Sequence, residues 1–217
     1  MKGLLIKDMK LMGNMKNSFL LILLIAIAMT TYIKDTAFLI TYMGLIGTTF
    51  ATSTLSYDEF DNGYSFLMSL PVTRKGYVLE KFGFGMLMSG GGWLLGTVLA
   101  LVSGIVRGSV EPLDVLMNSL VLLPMVFFLL AVMIPFRLKF GSEKGRVIMI
   151  CVAGAAFLLF AVAAEVFKRV HLNLDDIGGN LSLLSDGTIV VGAVVLGIVI
   201  LLVSYRISVS ILEKKEF

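Results

Sequence analysis

The sequence predicts an all-α, polytopic membrane protein: six transmembrane helices, an interfacial helix before them, and a cytoplasmic helix between the second and third. Three observations lead to this prediction. First, 58% of the 217 residues are hydrophobic and only 15% are charged, whereas an average soluble domain has about 25% charged residues. Second, apolar runs recur at the length that a helix needs to cross a bilayer. Third, basic residues are concentrated in alternate connections between these runs.

The first element is a positively charged amphipathic helix within residues 1–18. Lysines and asparagines fall on one side of this helix, and Leu5, Met9 and Met12 fall on another. This pattern is typical of a helix that lies along the inner membrane interface before the chain enters the first span.

Six apolar runs follow, and a helix of about 20 residues is needed to cross the hydrocarbon core. The runs are Phe19–Ile33, Thr36–Ser56, Phe82–Val106, Leu113–Phe136, Val147–Ala164 and Thr188–Tyr205. The first and fifth are short for a span, and the first needs a turn from the segment before it. Together with their connections, the six runs predict that residues 1–217 form a single transmembrane domain.

The distribution of Lys and Arg predicts the orientation of these spans. Fourteen lie in the two termini and in the second and fourth connections, and four lie in the other three connections. Basic connections stay on the cytoplasmic side, so both termini are expected in the cytoplasm. The same rule predicts a cytoplasmic loop over residues 57–81 and an external loop over residues 165–187.

The sequence offers few groups for catalysis. The only histidine, His171, has no second His and no nearby Cys with which to share a metal. The sequence motifs of zinc proteases, serine hydrolases and P-loop ATPases are missing. We therefore expect no catalytic residue, no metal site and no cofactor in this chain. The net charge of +3 gives no argument for a nucleic-acid partner.

The second span carries one polar face on an apolar helix. Hydroxyl side chains recur there at helical spacing, at Thr41, Thr48, Thr52 and Ser56. Two interpretations stay open: the hydroxyls can join neighbouring helices by hydrogen bonds, or the face can border a translocation path or a second copy of the chain. In the third span, Gly92 and Gly96 form a G-x-x-x-G motif, which lets a neighbouring backbone approach closely.

The connection between the second and third spans, SYDEFDNGYSFLMSLPVTRKGYVLEKF, is dense in acids and aromatics. Its apolar residues follow helical spacing and predict one stripe of a short amphipathic helix, made of Tyr57, Phe60, Tyr64 and Leu67. Acids including Asp58, Glu59 and Asp61 take the remaining surface of that helix.

The same connection carries signals for the end of this helix and the start of the next. Pro71 ends the first helix, and Thr73 is placed to cap a second helix that continues into the third span. An acidic helix face is repelled by the anionic inner leaflet, so a protein partner is the favoured contact. The alternative is a helix that packs beneath the protein's own spans.

At this segment the sequence resembles the compact permease subunits of ABC-2 type exporters. The resemblance rests on LLIKDMKLM ahead of the first span, on SYDEFDNGYSFLMSLPVTRKGYVLEKF, and on six predicted spans in 217 residues. In this layout the chain is similar to the permeases of phenol-soluble modulin exporters.

The resemblance implies a permease in the plasma membrane of a bacterium, embedded in the lipid bilayer and driven by separate cytoplasmic ABC ATPase subunits. Those subunits would bind ATP and Mg²⁺, and a second permease, either a copy or a paralogue, would complete the translocation path. The implied cargo is an amphipathic peptide or a lipophilic toxic compound. The loop would supply a coupling helix that docks on the ATPase through Tyr57, Asp58, Glu59, Phe60, Asp61, Tyr64 and Leu67.

Two other functions stay open from the sequence. An ATP-independent carrier or channel would be favoured by charges deep within the spans, and the predicted spans have none near their middles. A non-transporting membrane scaffold or immunity protein would share the loop but would move no substrate.

Overall fold

The computed structural model describes residues 2–33, 35–60, 63–108, 111–141, 144 and 186–215. All regular structure within these residues is helical, which agrees with the predicted all-α class. The helices are α1 (Lys2–Asn14), α2 (Lys16–Tyr32), α3 (Thr36–Glu59), α4 (Gly63–Ser69), α5 (Arg74–Arg107), α6 (Pro112–Phe140) and α7 (Asp186–Glu213).

Four helices are individually long and apolar enough to cross a membrane: α3, α5, α6 and the Val194–Glu213 part of α7. They correspond to the second, third, fourth and sixth predicted spans. The predicted fifth span, Val147–Ala164, lies outside the described residues, as does the predicted external loop over 165–187 except for its last two residues.

The first predicted span lies in α2, which has 17 residues and is by itself shorter than the usual membrane crossing. It is preceded by α1, which coincides with the predicted N-terminal helix. The two helices are bent by 63° relative to one another, and together they are long and apolar enough to form one broken span.

The loop predicted over residues 57–81 is a shorter connection than expected. α3 continues through Glu59 and α5 begins at Arg74, so only residues 60–73 lie between the two helices. The start of α5 is fixed as predicted, because the Thr73 hydroxyl accepts a hydrogen bond from the Gly76 amide at 3.1 Å. The helix extends upstream of Phe82 because Tyr77 and Val78 are buried in the core.

α3 and α5 pack backbone to backbone at the centre of the bundle. A Cβ atom at Gly92 would overlap the carbonyl of Met43, and a Cβ at Gly96 would lie 2.9 Å from the Cα of Ile40. The predicted G-x-x-x-G motif therefore faces α3 at a close helix contact. α6 packs against both α3 and α5, and α7 packs mainly against α6.

α6 remains helical through Pro135, and α7 compensates for the hydrogen bond that this proline removes. Pro135 has no N–H, so the carbonyl of Ala131, four residues earlier, loses its helical donor. The Ser204 hydroxyl of α7 donates to that carbonyl, and Ser204 is buried. This hydrogen bond joins the two helices where their backbones lie close together.

One end of the bundle is formed by α1, the N-terminus of α5 and the C-termini of α3, α6 and α7. Arg74 of α5 donates to the carbonyl of Leu212 at 3.0 Å, and Lys215 donates to the carbonyl of Leu138 at 3.3 Å. Carbonyls in the last turn of a helix lack helical donors and carry the negative end of its dipole. We call this the basic end, because its lysines and arginines include Lys7, Arg74, Lys81, Arg137, Lys139, Lys214 and Lys215.

Candidate functional site

The connection between α3 and α5 contains a short helix, as predicted, but the predicted stripe is divided between two helices. α3 ends at Glu59, and Phe60 leaves it in an extended conformation with φ −63° and ψ 141°. α4 then starts at Gly63, whose Cα lies so close to the carbonyl of Asp58 that a Cβ there would be 2.6 Å from the oxygen. The prediction of one continuous helix over 57–67 is therefore wrong, and the break at Phe60 resets which residues share a face.

Two residues of the predicted stripe face the interior of the protein. Tyr64 and Leu67 are only 6% and 7% exposed. The Tyr64 ring meets the Tyr77 ring edge-on, with 6.0 Å between centroids. Burial raises the pKa of the Tyr64 hydroxyl well above its ordinary value, so this side chain stays neutral. The cluster to which both residues belong includes Leu55 of α3, Val78 of α5, Leu138 of α6 and Leu212 of α7.

Other apolar side chains of the connection, and Tyr57 near the end of α3, are exposed. Phe60 and Phe66 are 72% and 69% exposed, and Tyr57 and Leu70 are also exposed. We call these four residues the exposed apolar face. Phe66 and Leu70 are absent from the predicted stripe. Phe66 and Leu70 are four residues apart, which is a helical spacing. This signal could be used only with knowledge of the break before Gly63, because the break places them in a different helical register from Tyr57 and Phe60.

The acids predicted to surround the docking stripe occupy different environments. Asp58 is buried, and its carboxylate contacts Lys7 and Lys81. Glu59 is half-buried, and its carboxylate lies against Gly141 at the end of α6, where a Cβ would collide with it. Asp61 lies outside the described residues.

Asp58 belongs to a group of charges, buried except for the half-buried Lys7, that joins three helices. We call it the ion cluster, and its members are Lys7 and Asp8 of α1, Asp58 of α3, and Glu80 and Lys81 of α5. The Lys81 ammonium contacts the Asp8 carboxylate, lies 2.7 Å from Oδ2 of Asp58, and donates to the Thr54 hydroxyl at 3.1 Å. Lys7 contacts Asp58 and lies 3.2 Å from Asp8.

Burial makes these contacts mutually dependent. The side chain of Lys81 is 1% exposed and that of Asp8 is fully buried, so each ion relies on its partners in place of water. The Tyr77 hydroxyl adds a hydrogen bond of 2.9 Å to Asp58. Among the described residues, no group of His, Cys, Asp and Glu is arranged to hold a metal ion.

The contact of Lys81 with α1 was not predicted from the sequence. The available signal was Asp8, which is the only acid in a helix that otherwise carries lysines. The buried Glu80 carboxylate lies 3.9 Å from the Lys81 ammonium.

The hydroxyl face of α3 lies in helix interfaces of this chain. Thr48 and Thr52 are fully buried and donate back to carbonyls of their own helix, each at 3.0 Å. Ser56 accepts a hydrogen bond of 2.7 Å from Arg137 of α6, and Thr41 is half-buried. A translocation path along this face would require α3 to separate from its neighbours.

A comparison with protein-family models matches residues 3–213 to the family described as ABC-2 family transporter protein. The match extends from α1 to the end of α7 and therefore includes α4 and the ion cluster. A search of curated proteins returned no significant match, and a search of solved structures also returned none.

Proposed function

The chain belongs to the ABC-2 family of transporter proteins, and we propose that it forms, with a second permease, the translocation path of an exporter driven by cytoplasmic ATPases. Family membership makes the chain a membrane permease subunit of an ABC exporter, a component that is not itself catalytic. It implies association with ABC ATPase subunits and with the membrane. In the proposal, those ATPases bind ATP and Mg²⁺, and this chain receives their motion.

The observation that carries the coupling role is the two-sided character of α4. One side is anchored by Tyr64 and Leu67 in a core cluster that includes residues of α3, α5, α6 and α7. The other side exposes Phe66, and Phe60, which directly follows α3, is also exposed. Exposed aromatics on a short, anchored helix suit docking in a groove of a partner protein.

The arrangement supports a rigid-body mechanism. ATP binding would move an ATPase that holds the exposed apolar face, and Tyr64 and Leu67 would transmit that movement to the helices around them. The ion cluster would carry α1 along, because it ties α1 to α3 and α5 close to α4. Tyr57 and Phe60 keep their expected docking role, and Phe66 and Leu70 join them.

The remaining predicted docking residues take other roles in this proposal. Tyr64, Leu67 and Asp58 hold the connection in place from inside, whereas Glu59 and Asp61 would contribute at the rim. The concentration of lysine and arginine at the basic end supports a cytoplasmic position for α4 and both termini.

The cargo follows from the resemblance to the permeases of phenol-soluble modulin exporters. We propose an amphipathic peptide or a lipophilic toxic compound, which would pass between two permease copies or paralogues. The proposed coupling role of α4 does not depend on the identity of the second permease or of the cargo.

The test is capture of the ATPase by the purified permease. The tagged chain is co-expressed with its cognate ATPase and extracted in mild detergent, and every associated chain is identified by mass spectrometry. We expect the double variant Phe60→Ala/Phe66→Ala to retain at most about one tenth of the bound ATPase, because buried aromatic anchors dominate such interfaces.

The matched control is Tyr32→Ala/Phe38→Ala, which removes two exposed aromatics at the opposite end of the bundle and should leave capture unchanged. Full ATPase capture and full coupled transport by the Phe60/Phe66 variant would reject the docking role. Substrate movement by the permease alone in ATP-free liposomes would instead favour an ATP-independent carrier.

A further inference from the structure

An apolar groove of about 660 Å³ runs between α6 and α7 on the outer surface of the described helices. Its floor lies where Ser204 bonds the Ala131 carbonyl and joins the two helices. The side chains that line its walls include Pro135, Phe136, Val199, Val203, Ile207 and Ile211.

The length of the groove matches one leaflet of a membrane. Its α7 wall extends from Val199 to Ile211, which corresponds to about 18 Å along a helix. Half of the hydrocarbon core is about 15 Å thick. The groove begins at the basic end and stops about one leaflet deeper, so its length matches an acyl chain and is too short for a membrane-crossing helix.

A pocket of about 380 Å³ whose lining includes three lysines continues the groove at the basic end. The two share Lys139 and Ile211. The pocket also contains Lys214 and Lys215, and Lys139 and Lys214 are exposed. Lys215 is already engaged with the Leu138 carbonyl and the Tyr64 ring. The Lys139 ammonium lies over the Phe140 ring at 5.1 Å from its centroid, and a cation on an aromatic face can still donate N–H groups to an anion. Lys139 and Lys214 are therefore placed to receive an anionic group whose apolar part occupies the groove.

We propose that this site binds an anionic phospholipid, with one acyl chain in the groove and its phosphate between Lys139 and Lys214. Assignment to the inner leaflet rests on the orientation in the proposed function, but recognition of the lipid does not. A second copy fits less well, because a two-fold axis along the membrane normal would bring the lysines of both copies to the same depth beside one another.

The experiment uses the purified full chain in nanodiscs that contain a trace of photoactivatable phosphatidylglycerol. A parallel sample contains phosphatidylcholine with the same photoactivatable acyl chain, and labelled peptides are mapped by mass spectrometry. We expect phosphatidylglycerol to label the groove walls of α6 and α7 several-fold more than phosphatidylcholine does.

Two variants with matched controls connect this labelling to the site. Lys139→Gln/Lys214→Gln should lower the apparent affinity for phosphatidylglycerol about tenfold, since each basic side chain contributes several-fold near an anionic surface. The control Lys2→Gln/Lys10→Gln removes the same charge from exposed lysines of α1 and should have little effect. Val203→Trp should block the groove, whereas Leu202→Trp, exposed on α7 outside the groove lining, should not.

Equal labelling by both lipids, or labelling that the Lys139/Lys214 variant does not change, would overturn the proposal. So would efficient disulfide formation between copies carrying Val203→Cys in a Cys151→Ser background, because the groove would then be a subunit interface. If Val203→Trp does not fold, the two lysine variants decide the result, since both change exposed side chains.

Discussion

Lys81 is the residue that connects most of the charges at the basic end. Its ammonium contacts Asp8 of α1 and Asp58 of α3, and its own side chain is almost completely buried. A buried ion pair contributes little net stability compared with an apolar pair, but removal of one partner leaves the other charge without compensation. The effect of replacing Lys81 on the free energy of unfolding therefore measures its structural role.

We predict that Lys81→Met lowers the free energy of unfolding by about 3 to 5 kcal/mol, because Asp8 and Asp58 would remain buried with less compensation. The measurement is unfolding in mixed detergent micelles. Asp8→Asn in the same chain should restore part of the loss, because it removes one of the stranded charges. Lys75→Met is the control, since its side chain is 70% exposed; an equal loss from both lysine variants would contradict this account.

Ser204 provides a second test at the scale of one residue. Ser204→Ala should cost about 1 to 2 kcal/mol, because the buried Ala131 carbonyl would lose its donor. In a Pro135→Ala background the same change should cost distinctly less, since the amide of residue 135 could then donate to that carbonyl. Ser103→Ala, which removes a hydroxyl that bonds its own helix at 3.0 Å, is the control. Equal costs of Ser204→Ala in both backgrounds would show that the two helices are not joined in this way.

Two single residues also show why part of the site could not be predicted from the sequence. The helical pattern predicts Tyr64 on the apolar stripe and Asp58 on the polar surface of one exposed helix, and nothing local distinguishes Tyr64 from Phe60. The burial of Asp58 and Tyr64 depends on partners far away in the chain, such as Lys7 for Asp58 and Lys215 for Tyr64. Helical spacing identifies residues that share a face, whereas the direction of that face is decided by tertiary contacts.

At the scale of elements, α4 and the α3–α5 pair show the same division. Pro71 and Thr73 are local signals, and both the end of α4 and the start of α5 agree with them. The break at Phe60 has no comparably strong signal, because Gly63 in a helical pattern is compatible with a continuous helix as well as with a new start. The presence of α4 and α5 could therefore be predicted from the sequence. Which residues share a face on the two sides of the break at Phe60 could not.

The glycines of α5 give a prediction about helix packing. Gly92→Ala should lower the free energy of unfolding by about 1 to 3 kcal/mol, because its Cβ would be forced against the α3 backbone. Gly91→Ala is the matched control: a Cβ there has no atom within 4 Å, and alanine is favoured in helices by up to about 1 kcal/mol. The comparison uses the same unfolding assay, and equal destabilisation by the two changes would be inconsistent with the α3–α5 contact.

At the scale of the whole molecule, hydropathy and charge were sufficient to predict the all-α membrane class and four of the spans. Apolar length alone identifies α3, α5, α6 and α7 as candidate spans, because a bilayer requires backbone hydrogen bonds to be satisfied within each helix. The joining of α1 to the bundle was not predicted, since it depends on ion pairs between residues more than fifty positions apart.

In the proposed mechanism, the helices move together as a rigid body when a partner bound at the basic end moves. At the basic end, α4 is fixed to the bundle by Tyr64 and Leu67 and offers Phe60 and Phe66 to a partner. Movement of that partner would therefore reach the helices that cross the membrane without passing through a slack loop. The central claim is that an ATPase occupies the exposed apolar face.

Site-specific photocrosslinking in native membranes tests this claim most directly. A photoreactive phenylalanine analogue is placed at position 60, 66 or 32 of the chain, which is co-expressed with its cognate ATPase. We predict crosslinks to the ATPase from positions 60 and 66 and none from position 32, at the opposite end of the bundle. Crosslinks from position 32, or none from 60 and 66 while the ATPase still co-purifies, would contradict the account.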